Sequence, residues 1–96
     1  MDDRDYVAQA LIDGLRSHGI AFSLLGQEPA PAALEIALAR RSLERAPRFL
    51  ARFSQDFDLR LVQLERPQPG AWACVLAWSD DVGQPRFMAV RLIGDY

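Results

Sequence analysis

The chain has no lysine, so all 11 of its basic side chains are arginine. It has one cysteine, Cys74, and one histidine, His18. A single cysteine excludes an internal disulfide and suits a reducing compartment such as the cytoplasm. One histidine and one cysteine far apart in sequence leave no usual metal cluster. His18 has no nearby nucleophile to serve, so a helix-end role is expected for it rather than catalysis. No stretch approaches the roughly 18 apolar residues of a membrane span. The acidic start, Asp2-Asp3-Arg4-Asp5, has the wrong sign for a signal peptide. Missing too are the phosphate loop GxxxxGK[ST], the dinucleotide GxGxxG, the esterase GxSxG and the zinc HExxH. The 13 acidic residues nearly balance the basic ones, and a net charge of −2 argues against general affinity for nucleic acid or acidic lipid. The missing lysine itself reads as the coding bias of a GC-rich bacterial genome.

What is present is core-forming material. Half of the 96 residues are hydrophobic, which predicts a packed globule and one domain, 1–96. The chain is organised around residues 71–96. There Trp72, Cys74, Leu76 and Trp78 alternate with Ala71, Ala73, Val75 and Ala77, a period of two with bulky side chains on one face and small ones on the other. Residues 79–85, Ser-Asp-Asp-Val-Gly-Gln-Pro, supply turn chemistry, which accounts for the acidic pair Asp80-Asp81. The run 87–93 is apolar on both faces except for Arg91, as expected of an interior strand. Trp72 and Trp78 are read as core or interface packing.

Upstream, Asp2 or Asp3 is placed to cap a helix whose apolar face is Val7, Ala10, Leu11, Gly14, Leu15 and His18, with Gly19 as its left-handed stop. Residues 20–25 read as a short strand, and prolines make 27–31 a loop. Residues 31–41 satisfy two patterns: strong helix formers throughout, and strand-like alternation of Leu34, Ile36 and Leu38. From Ser42, a potential cap, the steps Leu43, Ala46, Leu50, Phe53 and Phe57 predict a helix with Pro47 in its first turns. A strand at 59–65 precedes a loop at 66–70. The predicted core is Leu11, Leu15, Phe22, Leu50, Phe53, Leu61, Leu76 and Val90. Helices and strands in this order predict an α+β fold, a small mixed or antiparallel sheet with helices packed on one face.

Arg41, Arg45, Arg48 and Arg52 recur at steps of four, three and four. The plain expectation is a solvated helix face; the sharper one is a contact for an anionic partner or phosphate.

The layout resembles the nucleotidyltransferase-like family, the small catalytic module shared by DNA polymerase beta and many bacterial relatives. It is closer to bacterial members associated with polysaccharide biosynthesis. The segments that carry the resemblance are Leu25-Gly26, Leu61-Val62-Gln63-Leu64, Gly70-Ala71, Val75-Leu76-Ala77-Trp78, Pro85-Arg86-Phe87 and Gly94-Asp95-Tyr96. The resemblance makes residues 33–38 a strand. It also implies three metal-binding carboxylates, and the chain departs from that set. The Asp-x-[Asp/Glu] pair falls on Ala33 and Glu35, and the third carboxylate falls on Arg91. The phosphate-cradling Gly-Ser turn is here Gly26-Gln27. Arg91 is expected to pair with Glu35 across adjacent strands, a guanidinium in place of a metal ion. The family is expected to continue beyond Tyr96.

These departures imply a non-catalytic domain with no cofactor and no metal, working by binding a protein partner or a second copy of itself. The exposed small-residue face and the sheet edges are the expected contacts. Two alternatives remain open. One is an active or partner-completed nucleotidyltransferase, with Glu35 and Asp95 as its remaining acids. The other is a nucleotide sensor with phosphate held by Arg91 or the Arg48 face.

Overall fold

The computed structural model describes residues 3–25 and 33–94. Helix α1, Asp3–Ser17, buries Val7, Leu11, Ile12 and Leu15. Asp3 and Asp5 in its first turn and Arg16 in its last suit the helix dipole. The helix stops at Gly19, where φ is +69°. The Ile20 amide donates to the Leu15 carbonyl and the Gly19 amide to the Arg16 carbonyl, each at 3.0 Å. That pair of bonds satisfies carbonyls a helix end would otherwise leave open.

The two-pattern segment forms strand β2, Ala33–Leu38, which follows β1, Phe22–Leu24. Helix α2, Arg40–Leu43, and helix α3, Ala46–Asp56, come next. Ser42 does not cap a helix as its position predicted; it is buried inside α2. The α2 turn leads straight into α3, and the Arg45 amide donates to the Ser42 carbonyl at 3.0 Å. Neither helix start has a side-chain cap bond. Pro47 does fall in the first turn of α3, where a missing N–H costs little. Helix α3 ends like α1, with Asp58 at φ +54° and the Leu59 amide 2.7 Å from the Ser54 carbonyl. No glycine marks this stop in the sequence; a short polar side chain tolerates the left-handed region instead.

Strands β3, Arg60–Gln68, β4, Ala71–Ser79, and β5, Pro85–Gly94, complete a five-stranded sheet of order β1-β2-β5-β4-β3. β2 and β5 run parallel and the other neighbours antiparallel, so the sheet is mixed and the fold is α+β. β5 occupies the centre, as its two-sided apolar run predicted. β3 continues through residues expected to be loop, and it accommodates Pro67 because it is an edge strand. Asp80 closes the β4–β5 hairpin. Its carboxylate accepts the Val82 amide at 3.0 Å, the Gln84 amide at 2.9 Å and the Arg86 Nε at 3.2 Å. These donors hold its pKa below the usual value, the Gln84 amide contributing most.

One face of the sheet meets the helices. Leu34, Ile36 and Leu38 of β2, Cys74 and Leu76 of β4, and Met88, Val90 and Leu92 of β5 share a core with Leu11 and Leu15 of α1, Leu43 of α2 and Leu50 and Phe53 of α3. Six of the eight predicted core positions are buried. Phe22 and Leu61 are only partly covered, because β1 and β3 are the sheet edges. A bulge in β3 settles a detail that alternation alone misreads. Val62 pairs with Val75 but Glu65 with Ala73, and Gln63 takes φ +55° in between. The extra residue brings Leu64, three positions after Leu61, onto the same packed side.

Candidate functional site

The sheet's second face carries no described helix. Its register places Glu35 of β2 directly beside Arg91 of β5, with Ala73 of β4 and then Glu65 of β3 continuing the row. The expected ion pair is there, with Arg91 Nη1 3.7 Å from the Glu35 Oε1. The two side chains are 45% and 40% exposed, so water screens the pair and its contribution to stability falls within the roughly 0–1 kcal/mol of surface ion pairs. Position 33 pairs with Ala89, two residues along β2 from the Glu35–Arg91 pairing. The three positions that the family resemblance makes its carboxylates thus lie on two hydrogen-bonded strands. Asp95, Gly26 and Gln27 lie outside the described residues.

The row is bordered by apolar side chains. Phe87 is 52% exposed and Val62 36%, while Val75, Ala89 and Ile93 are half-buried. The small-residue face differs from expectation. Ala71 and Ala77 on β4 are buried, with Ala77 flanked by Phe87 and Arg60 in neighbouring strands. What this face presents to solvent is therefore the longer side chains of β3, β5 and β2.

Arg41, Arg45, Arg48 and Arg52 are exposed on the other side of the molecule, along α2 and α3. They line a groove of about 540 Å³ with Glu44, His18, Ile20 and Phe49. His18 sits at the end of α1 with its Nδ1 2.9 Å from the Gly14 carbonyl and its ring edge-on to Phe49. A second groove runs between α1 and α3, about 500 Å³ in volume, over the aromatic side chains Tyr6, Phe49, Phe53 and Phe57. Sequence reasoning missed it, because its aromatic side chains come from two segments some forty residues apart that only the fold brings together. Its floor depends on Gly14: a Cβ there would lie 3.2 Å from Phe49 Cζ.

Cys74 is buried in β4, and burial pushes its thiol up to about 11, which makes it a poor nucleophile. Trp72 and Trp78 pack against the core, with the Arg66 guanidinium 5.4 Å over the Trp72 ring. Among the described residues no three His, Cys, Asp or Glu side chains converge to hold a metal ion. No described helix is long and apolar enough to cross a membrane. No protein-family model matches the chain, and no curated protein is similar to it at a significant level.

Proposed function

We propose that this domain works by binding, through the open face of its sheet, and that the partner on that face is a second copy of the chain. The observation that carries the reading is the Glu35–Arg91 pair set among exposed apolar side chains on a face no described helix covers. Five strands about 4.8 Å apart and about six residues long at about 3.3 Å each give this face roughly 500 Å² of flat area. A docked surface is uneven and buries more than its projection, which approaches the roughly 800 Å² per partner of a standard interface. The charges favour self-docking. A twofold axis between β2 and β5 brings Arg91 of each copy opposite Glu35 of the other, so one plus–minus pair complements itself.

The domain is further proposed to be a degenerate relative of the nucleotidyltransferases. Support comes from the strand at 33–38 and from the adjacency of positions 33, 35 and 91. Phosphoryl transfer on such a module is mostly electrostatic, and its metal ions need several hard oxygen ligands. Arg91 places a positive charge where a cation would sit. Repulsion between unit charges about 4 Å apart is about 1–4 kcal/mol between water-like and protein-surface dielectrics.

Sedimentation equilibrium tests the binding part. The wild type is expected to dimerise, and Phe87→Asp to be monomeric with an unchanged circular dichroism spectrum. A wild type that stays monomeric throughout the micromolar range overturns the self-docking. Incubation with labelled nucleoside triphosphates and magnesium or manganese tests the other part: turnover that disappears in Glu35→Gln overturns the non-catalytic reading.

A further inference from the structure

The arginine row survives a break in its helix. α2 ends at Leu43 and α3 begins at Ala46, yet Glu44 (φ −70°, ψ −18°) and Arg45 (φ −82°, ψ −13°) stay in the right-handed region. Side chains three and four residues apart therefore continue to share one side across the junction. Among the described residues Arg41, Arg45 and Arg48 make no ion pair, while Arg52 is held by Asp56 at 3.5 Å. Like charges at these steps repel, and α3 has no acidic residue in its first turn to offset them. The row is solvated in the free domain, and an anion docked along it would relieve the repulsion.

We propose that the α2–α3 groove binds an acidic, extended peptide segment of a protein partner, independently of the sheet face. Length separates a chain of charges from a single ion. Eleven residues of helical path from Arg41 to Arg52 span roughly 16 Å, at about 1.5 Å per residue. One phosphate reaches only neighbouring guanidinia and leaves the rest of a row this long unengaged. An extended peptide places alternate side chains roughly 6.6 Å apart, against about 5.5 Å between successive arginines along the row, a difference the long arginine side chains absorb. Ile20 and Phe49 lie beneath the row and are almost fully buried, so the arginine side chains themselves supply the recognition. Glu44 on the lining rejects a carboxylate beside it, so the groove reads a pattern rather than bulk negative charge. Nucleic acid fits less well. Phe49 is only 8% exposed and offers no stacking platform for bases.

The test is fluorescence anisotropy with a fluorescein-labelled peptide of about twelve residues alternating Glu and Ser, long enough to span the row at about 3.3 Å per residue. Saturable binding with a Kd in the micromolar range is expected. It should weaken about tenfold in Arg45→Gln/Arg48→Gln and less in Arg45→Lys/Arg48→Lys, which keeps charge but loses the planar fork. It should also weaken several-fold between about 50 and 300 mM NaCl, as screening lengths shorten. Millimolar inorganic phosphate should leave it unchanged, and so should Phe87→Asp, which separates this site from the sheet face. Salt-independent binding overturns the proposal without recourse to any variant. Equal affinity in wild type and a folded Gln variant also overturns it, as does displacement of the peptide by an equimolar single-stranded oligonucleotide.

Discussion

Truncating Leu50 to alanine tests the packing of α3 on the sheet. Leu50 is 1% exposed, and its neighbours on the same helix face, Ala46, Phe49 and Phe53, are buried as well. The change removes three buried carbons, a transfer loss of roughly 2–2.5 kcal/mol at about 0.8 kcal/mol each. A residual cavity of some tens of Å³ adds roughly 1 kcal/mol at about 24 cal/mol per Å³. Collapse around the hole is limited on the sheet side. Strands β4 and β5, which share the core with Leu50, are paired on both edges, so their backbone has little freedom to move inward. The expected cost is therefore about 3 kcal/mol, a large part of the roughly 5–15 kcal/mol that holds a domain together. In a chain of this length that lowers Tm by roughly 12–24 °C. Urea unfolding followed by the fluorescence of Trp72 and Trp78 reads it directly, since both pack against the same core. The midpoint should fall with an unchanged slope. Leu50→Met, which conserves volume, should cost under about 1.5 kcal/mol. A loss below about 0.5 kcal/mol for the alanine variant would show that this helix face does not pack as described.

Three further outcomes are expected. The Asp80 pKa is depressed in the folded chain, so its contribution to stability is complete above the unfolded value near 4 and is lost as pH falls through the folded value. Asp80→Asn should flatten that acid limb of the stability–pH curve, and an unchanged limb would remove Asp80 from the account. The Cys74 thiol should react with a disulfide reagent at about pH 8 only as fast as the chain opens, and stoichiometrically in urea; rapid native reaction would contradict its burial. Ala33→Asp/Arg91→Asp, with Glu35 kept, is expected to bind manganese where the wild type does not, as measured by calorimetry. No binding in the folded variant would mean that the three positions do not converge on one ion.

Local signals were legible where one pattern dominated. The alternation in 71–78, the left-handed stop at Gly19 and the turn chemistry around Asp80 each depend on residues adjacent in sequence, and all appear in the fold. Residues 31–41 satisfied a helix and a strand equally, because propensity and periodicity disagreed. Hydrogen bonds from β5 on one side and β1 on the other decided the matter for Ala33–Leu38. Ser42 was misread because a cap signal carries no information about a preceding turn already in place. Glu35 and Arg91 stand 56 residues apart in the chain (91 − 35), and nothing between them in sequence sets their register; the family resemblance supplied that expectation, and the β2–β5 pairing produces the contact. The row of arginines could be read off as spacing alone. Its continuity across two helices rests on the backbone angles of Glu44 and Arg45, which only the folded chain sets. Composition and local periodicity thus determined the α+β class and most of the buried side chains, since burying apolar surface is a short-range pattern repeated along the chain. Which strands became edges, which sheet face the described helices left uncovered and where the bulge at Gln63 fell were decided by long-range pairing, whose free energy belongs to no single segment.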